Sequence, residues 1–320
     1  MANIASIENN PNVDKSVKAL QEALQVLDDV VLGKSDQVRL AVCCLLAGGH
    51  LLIEDLPGMG KTTLSHALGN VLGLEYQRVQ FTSDMLPTDV LGSQIFRRED
   101  NSFSFMKGPI FTQLLLADEI NRTTPKTQSA LLEAMEERQV SVDGQTYPLP
   151  DPFFVIATQN PSSQSGTYPL PESQLDRFLM RLSLGYPDAE AERRILQGEN
   201  GRAKLDKIAV VLNAADLRML RELVGAVKAS EAILDYLQRL IEYSRSQGEA
   251  GIGLSPRAGL GLLQAAKASA FIEGRRHIIP EDIQLVLMPV AAHRLDGGAG
   301  LDSNGASLVA KMLDNVAVVA

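Results

Sequence analysis

The stretch Leu51-Leu52-Ile53-Glu54-Asp55-Leu56-Pro57-Gly58-Met59-Gly60-Lys61-Thr62-Thr63 is an apolar run that breaks at a proline and two glycines and continues into a lysine and two threonines. This order of residues predicts a strand, a tight loop and the first turn of a helix. The backbone N–H groups of such a loop, together with the positive end of the helix, surround a polyphosphate. Lys61 adds a mobile cation for the outer phosphates, and the Thr62 hydroxyl suits a magnesium ion. We therefore predict that nucleotide phosphates contact Pro57, Gly58, Met59, Gly60, Lys61, Thr62 and Thr63.

This loop departs from the Walker A pattern G-x-x-x-x-G-K-[ST] at one position, because Asp55 stands where the first glycine belongs. A carboxylate that faced a bound phosphate would repel it, so we expect the Asp55 side chain to turn away from the loop. The alternative is an ordinary strand–turn–helix junction, since glycine-rich turns before helices are common. The remainder of the chain has to decide between the two.

Length, composition and charge restrict the class of protein. The chain has 320 residues, 45% of them hydrophobic and 22% charged, which is typical of a globular protein and favours two domains. The formal net charge of −9 argues against a protein that mainly binds nucleic-acid backbones. Cys43 and Cys44 are adjacent in an apolar stretch, so we expect reduced core residues. The sequence shows neither a secretory leader nor an apolar run of membrane-spanning length, so we expect a cytoplasmic protein without membrane insertion.

A second stretch, residues 113–119, is an apolar run that ends in the two carboxylates Asp118 and Glu119. The carboxyl ends of parallel strands are where α/β sheets bind their ligands. Asp118 is expected to hold Mg²⁺, and Glu119 to polarise an attacking water. Alone, the pattern could also be a strand that meets a solvated turn, but downstream of a phosphate loop it favours a catalytic site.

A third strand, predicted over residues 153–158, leads to Asn160. An amide at a strand's carboxyl end can orient a water against a terminal phosphate, although a simple Asn-Pro turn would look the same. Two β-hairpins are predicted, over residues 94–106 and over residues 139–150 around Asp143-Gly144. The first could project toward a partner or a pore, or could cover the core.

The pattern changes at Tyr186-Pro187-Asp188, beyond which the sequence predicts helices only. Ser255 is expected to cap a helix that begins at Pro256, so that Arg257 projects from its first turn. We therefore expect a flexible tail over residues 1–12, an α/β nucleotide-binding domain over residues 13–186 and a helical lid domain over residues 187–320.

Several stretches, taken together in this order, resemble the AAA+ ATPases of the MoxR family. The resemblance covers nearly the whole chain from about residue 31. It rests on residues 57–62 (PGMGKT), 108–111 (GPIF), 116–122 (LADEINR), 157–161 (ATQNP), 170–178 (LPESQLDRF) and 255–258 (SPRA).

The resemblance implies an AAA+ core, a parallel sheet flanked by helices with β-hairpin insertions, followed by an all-α lid. It implies roles for the matching residues. Arg177 would be an arginine finger that reaches the phosphate of the neighbouring subunit, although it could instead pair with Asp176 or Glu172. Arg122 and Arg181 are rival interface arginines. The other implied roles are Walker A for Lys61 and Thr62, Walker B for Asp118 and Glu119, sensor 1 for Asn160 and sensor 2 for Arg257.

The function implied by the resemblance is a ring-forming, Mg²⁺-dependent ATPase, expected to be a hexamer. It would couple ATP hydrolysis to chaperone-like remodelling or maturation of protein clients, often with a partner that bears a von Willebrand factor A domain. One alternative is a nucleotide-gated assembly scaffold whose turnover is incidental. A nucleic-acid motor is a further alternative. The net negative charge disfavours it, and so does the lack of a basic surface with aromatic residues between the charges.

Overall fold

A computed structural model describes most of the chain. The described residues are 11–99, 101–160, 166–199, 201–205, 208–247, 253–295 and 304–318. The predicted tail up to residue 10, residues 161–165 and most of the glycine-rich segment after residue 296 lie outside them.

The centre of the fold is a parallel sheet of five strands in the order β2-β5-β8-β1-β9. Strand β1 lies between β8 and β9 and is buried on both faces, as its continuous apolar run predicts. Because all strands run in one direction, their carboxyl ends meet at one edge of the sheet. The strands are β1 (Leu51–Glu54), β2 (Tyr76–Gln80), β5 (Leu114–Asp118), β8 (Phe154–Gln159) and β9 (Met180–Leu182).

Alternate side chains of the strands enter two hydrophobic cores, one on each face of the sheet. Leu51 and Ile53 join the core formed with the N-terminal helices and the C-terminal helices. Leu52 points to the opposite face, where Leu131 and Met135 cover it. The helices on these faces are α1 (Pro11–Val30), α2 (Ser35–Leu46), α3 (Lys61–Val71) and α5 (Pro125–Glu137).

Both predicted hairpins are present as separate two-stranded sheets. Asp143 and Gly144 turn the second hairpin with φ angles of 50° and 77°, as expected for this dipeptide. The hairpins meet where Phe105 stacks on Tyr147 with ring centroids 4.1 Å apart, while Phe103 is 71% exposed. Their strands are β3 (Gly92–Arg97), β4 (Ser102–Lys107), β6 (Gln139–Val142) and β7 (Gln145–Pro148).

The region after β9 is helical, as predicted, and contacts the α/β part directly: the α2 helix packs against the helix that begins at Pro256. Ser255 caps that helix by accepting a hydrogen bond from the Ala258 N–H. Cys43 and Cys44 are buried free thiols on α2. The helices are α7 (Ala189–Leu196), α8 (Gly201–Leu205), α9 (Ala214–Ala226), α10 (Glu231–Gln247), α11 (Pro256–Ile272), α12 (Pro280–Leu295) and α13 (Asn304–Asn315).

Three local interpretations of the sequence are wrong. Residues 84–89 are polar and contain a proline, which indicates an irregular segment, but the short helix α4 (Pro87–Leu91) begins within them, because Pro87 fits its first turn. Ser35 has the residue type of a helix cap, but it is the first residue of α2, after Lys34. The pattern from Glu172 to Phe178 indicates a helix, but α6 (Glu172–Leu175) ends earlier. The helix α8 has no counterpart among the helices that the sequence predicts. None of the helices in the described part of the chain combines the length and the apolar character needed to span a bilayer.

Candidate active site

The loop between β1 and α3 has the backbone that its glycines predict. Gly58 and Gly60 have φ angles of 88° and 92°, in the left-handed region that other residues adopt only with strain. A Cβ added to either would meet no atom within 4 Å, so the need for glycine is conformational rather than steric. Gly60 precedes α3, and Lys61 is the first residue of that helix. The free N–H groups of this helix end therefore face the loop.

A cavity of about 560 Å³ lies in front of this loop, at the carboxyl edge of the sheet. One wall carries the predicted phosphate-binding residues 57–63. Another side is formed by apolar groups of the chain before α2 and after β9, including Val31, Leu32, Pro187 and Ile195. The predicted residues Asp118, Glu119 and Asn160 also line the cavity, together with Arg78 and Gln80, which sequence reasoning missed.

The ammonium group of Lys61 is buried between two oxygen acceptors. Its Nζ donates to the Asp55 carbonyl at 2.8 Å and to Asn160 Oδ1 at 3.0 Å. Burial lowers the pKa of Lys61, and the negative charges of Asp55, Asp118 and other nearby carboxylates oppose that shift. A bound phosphate would offer this cation the anionic partner that its two neutral acceptors do not.

The Asp55 side chain turns away from the loop, as predicted. Its Oδ2 accepts hydrogen bonds from the Ser183 hydroxyl and from the Leu184 and Gly185 N–H groups, at 3.1, 2.7 and 2.7 Å. Its Oδ1 accepts from the Leu56 N–H at 2.8 Å. The carboxylate therefore leaves the phosphate side of the loop to backbone N–H groups.

Asp118 lies at the end of β5, where two neighbours hold its carboxylate. The Thr158 hydroxyl donates to Oδ1 at 2.6 Å, and Arg78 donates to Oδ2 from Nη2 and Nε at 2.7 and 3.1 Å. Arg78 comes from β2, the edge strand beside β5. No sequence signal marks its role, because a charged residue on an edge strand is ordinarily a solvated one.

Glu119 follows directly, in the left-handed conformation with a φ of 57°. Its N–H donates to the Thr158 hydroxyl at 2.9 Å. Its Oε1 accepts from Asn160 Nδ2 at 3.0 Å, and its Oε2 accepts from Gln80 Nε2 and contacts Arg122 Nε, both at 2.9 Å. Asn160 thus joins Lys61 to Glu119, and the predicted catalytic carboxylate is held by three side chains.

Arg177 and Arg257 do not line this cavity. Both line a second cavity of about 210 Å³, together with His50 and Leu179, the residues that precede β1 and β9. This cavity therefore lies at the amino edge of the sheet, opposite the phosphate loop. Arg177 Nη2 lies 3.2 Å from Glu136 Oε2, and Arg257 contacts the other oxygen of the same carboxylate.

The rival arginines lie in different surroundings. Arg181 is buried with Glu54, each side chain 4% exposed, with Nη1 and Oε2 3.3 Å apart. It therefore cannot reach a neighbouring molecule as the chain is folded. Arg122 pairs with Glu119 of the same subunit, beside the phosphate-loop cavity. The carboxylate beside Arg177 is Glu136, and not Asp176 or Glu172 as the alternative interpretation expected.

The donor set fits magnesium held jointly with a nucleotide. In the described part of the chain, no cluster of three or more His, Cys, Asp or Glu side chains could hold a metal ion. Mg²⁺ needs no such cluster, because it commonly binds one or two protein oxygens together with phosphate and water. The carboxylate of Asp118 and the hydroxyl of Thr62 both line the phosphate-loop cavity.

Comparisons with known proteins agree with this geometry. The model of the ATPase family associated with various cellular activities (AAA) matches residues 50–180, and an AAA lid domain model matches residues 242–311. The uncharacterised protein YeaC of Bacillus subtilis is 44% identical over 86% of both chains. Chaperone MoxR1 of Mycobacterium tuberculosis is 39% identical over 87% of this chain and 76% of its own. The protein MoxR of Paracoccus denitrificans is 32% identical over 92% and 93%, respectively.

A solved structure shows the same fold over nearly the whole chain. A crystal structure from Cytophaga hutchinsonii, described there only as a candidate ATPase, superposes with a TM-score of 0.83 and 35% identity. The match covers 95% of this chain and 97% of that one. The family models and the MoxR relatives agree over most of the chain, and the chain belongs to the MoxR family of AAA+ ATPases.

Proposed function

We propose that this ATPase works as a ring in which Arg177 and Arg257 of one subunit complete the nucleotide site of the next. The observation that carries the proposal is the separation of the two sets of residues across the sheet. The phosphate loop occupies the carboxyl edge, and both arginines lie at the amino edge beside His50 and Leu179. A subunit folded in this way needs a second copy to bring either guanidinium to its phosphates.

In this proposal the residues of one subunit bind and orient ATP. The loop N–H groups and Lys61 hold the phosphates, and the apolar groups around Pro187 and Ile195 border the space for the base. Thr62 and Asp118 would hold Mg²⁺, which supplies positive charge beside the phosphate oxygens when bound. Glu119 accepts the proton of the attacking water, and Asn160 orients both that water and Lys61.

Arg177 and Arg257 would supply charge from the neighbour. A guanidinium placed beside the terminal phosphate stabilises the negative charge of the transition state and accelerates turnover by about 10³-fold or more. Before assembly both groups pair with Glu136, so they are already next to each other on one surface. Assembly would therefore deliver two positive charges together.

We further propose that a Mg²⁺-dependent hexamer couples hydrolysis to the remodelling or maturation of protein clients. The name of the relative Chaperone MoxR1 supports a chaperone role, and the exposed Phe103 on the first hairpin offers an apolar contact for a client. A partner with a von Willebrand factor A domain, a cytoplasmic location and domains over residues 13–186 and 187–320 belong to the same proposal. The separate family models for the AAA core and the lid support that division.

The test is ATP hydrolysis measured against protein concentration. Wild type, Glu119→Gln, Arg177→Ala and an equal mixture of the two variants are compared, with Arg98→Ala as an arginine control outside both cavities. The expected results are a rate per subunit that rises with concentration, a loss of about 10²-fold or more for each variant, and partial recovery on mixing. A flat rate and an active Arg177→Ala variant would contradict the proposed shared site.

A second candidate function is a nucleotide-gated scaffold with incidental turnover. It is favoured by the three side chains, from Gln80, Arg122 and Asn160, that engage both oxygens of Glu119. Gln80 and Arg122 already occupy Oε2, so only Oε1 keeps a lone pair for a water proton. A slow rate that assembly and added client proteins leave unchanged would favour this second function.

A further inference from the structure

The Asp55 carboxylate connects two segments that are far apart in the chain. Three donors from residues 183–185 reach its Oδ2, and the side chain belongs to a residue that is only 6% exposed. The glycine that the Walker A pattern has at this position could accept none of these bonds. Removal of the carboxylate would leave the N–H groups of Leu184 and Gly185 without their acceptor, which is costly for buried groups.

Residues 183–185 lead directly into the far side of the nucleotide cavity. Pro187 lines that cavity, and Asp188 caps α7 by accepting from the Ala191 N–H at 2.8 Å. The α7 helix then brings Ile195 to the same cavity. The segment after β9 therefore forms a second wall of the cavity, separate from the wall that the phosphate loop forms.

Asp55 also marks the start of the phosphate loop. Asp55 follows β1, and its own carbonyl oxygen accepts the hydrogen bond from Lys61 Nζ. One residue thus contacts the phosphate-binding lysine through its backbone and the segment 183–185 through its side chain. A shift of either segment would stretch hydrogen bonds of the other.

We propose that Asp55 is a positioning residue that holds the two walls of the nucleotide cavity in register. The phosphate loop and the wall that carries Pro187 and Ile195 then move as one unit, so a nucleotide meets both walls at once. Without the carboxylate the loop still binds phosphate, but the opposite wall is no longer fixed in front of it. This inference rests on the proposed nucleotide site.

The test uses two probes that read different parts of the cavity. Pyrophosphate contacts the phosphate loop alone, whereas ADP also needs the opposite wall. Calorimetry of Asp55→Gly should show ADP binding weakened by roughly 10-fold relative to wild type, because fewer molecules hold both walls in place. Asp55→Asn keeps one acceptor oxygen for residues 184–185 and should show a smaller loss. Pyrophosphate affinity should change by less than roughly threefold, since the loop keeps its glycines and Lys61.

The matched control is Asp282→Asn. Asp282 is also a buried carboxylate, and it accepts from the Ile279 N–H and the Ser269 hydroxyl at 2.9 and 3.0 Å and pairs with Arg275, but it lies in the lid away from the cavity. This variant should lower the melting temperature while the ratio of ADP to pyrophosphate affinity stays at the wild-type value. The comparison separates a general loss of stability from a loss of alignment.

Hydrogen exchange gives an independent measurement on the same proteins. In wild type, ADP should slow exchange both in the loop and at the N–H groups of Leu184 and Gly185. In Asp55→Gly, the slowing should remain in the loop and disappear at residues 184–185. Equal losses of ADP and pyrophosphate affinity, or a wild-type ratio in both Asp55 variants, would overturn the inference. If wild-type protein binds neither probe, the proposed nucleotide site itself fails.

Discussion

Arg78 donates two hydrogen bonds to one carboxylate oxygen of Asp118, at 2.7 and 3.1 Å. Asp118 is the carboxylate we assign to Mg²⁺, so the guanidinium occupies a side that a metal ion would approach. The Arg78 side chain is 47% exposed, so this pair is of modest strength and can open. We therefore expect the arginine to compete with the metal.

We expect Arg78→Gln to lower the Mg²⁺ concentration that half-saturates nucleotide binding, by about threefold to tenfold. The measurement is the ADP affinity titrated with Mg²⁺, supported by Mn²⁺ binding followed by electron paramagnetic resonance. Arg98→Gln, an exposed arginine elsewhere, is the control and should leave both unchanged. Weaker ADP binding at every Mg²⁺ concentration would show instead that Arg78 binds the phosphates.

Asn160 joins Lys61 to Glu119 through the two atoms of its amide. Asn160→Ala removes both contacts, and we expect a fall in kcat of roughly 10²-fold with a much smaller change in ADP affinity. Steady-state hydrolysis and ADP titration measure the two quantities. Asn160→Asp keeps an oxygen for Lys61 but puts a negative charge beside Glu119, so it should bind ADP well and still hydrolyse slowly. A variant with normal kcat would remove Asn160 from the catalytic residues.

Glu136 pairs with Arg177 and Arg257, and in the proposed ring this contact would have to open before either arginine reached a neighbouring subunit. In Glu136→Gln the charge that holds them is absent. We expect half-maximal ATPase activity per subunit to occur at a protein concentration lowered by about threefold. Glu137→Gln, one residue further along and outside that cavity, is the matched control. A shift to higher concentration would mean that Glu136 presents the arginines rather than restraining them.

Most of the cavity could be predicted because its residues follow strands directly. The loop after β1, the carboxylates that end β5 and the amide after β8 meet because parallel strands bring their carboxyl ends to one edge. The glycines at 58 and 60 signalled the loop conformation in the same local way. The alternation of residues 94–106 and the Asp143-Gly144 turn predicted the two hairpins, and the helical pattern after residue 186 predicted the lid.

The contacts that determine how the site is held could not be predicted. The donors to Asp55 lie about 130 positions further along the chain, and Arg78 depends on which strand forms the sheet edge. By resemblance Arg177 was expected to reach a neighbouring subunit, but nothing in the sequence placed Arg257 away from the phosphate loop of its own subunit. Only the direction of β9 and the packing of α11 show that they lie at the opposite edge.

The buried side chain of His50 should make the free energy of unfolding depend on pH in acid. Its Nδ1 accepts from the Val155 N–H at 3.0 Å, so the ring proton lies on Nε2, which faces the Met135 carbonyl at 3.3 Å. A second proton would have to enter at Nδ1, against that N–H donor. Burial among Phe153 and Phe154 lowers the pKa of His50 to about 4.

The sign of the effect follows from this lowered pKa. Above about pH 6.5 the imidazole is neutral in the folded and the unfolded chain, so it adds no pH dependence. Between about pH 6.5 and 4 the unfolded chain binds a proton that the folded chain refuses, so the free energy of unfolding falls as the pH falls. The loss from His50 reaches on the order of 3 kcal/mol at pH 4. Buried His293, whose pKa burial also lowers, acts in the same direction.

Urea denaturation between pH 7.5 and 4.5 measures this dependence. His50→Gln should be less stable than wild type at neutral pH, because the core polar contacts are disturbed, but its stability should fall less steeply with acid. His277→Gln, at an exposed position, should keep the wild-type slope. Equal slopes for His50→Gln and wild type would mean that the folded chain protonates His50 as readily as the unfolded chain, and the buried, neutral imidazole would then be excluded.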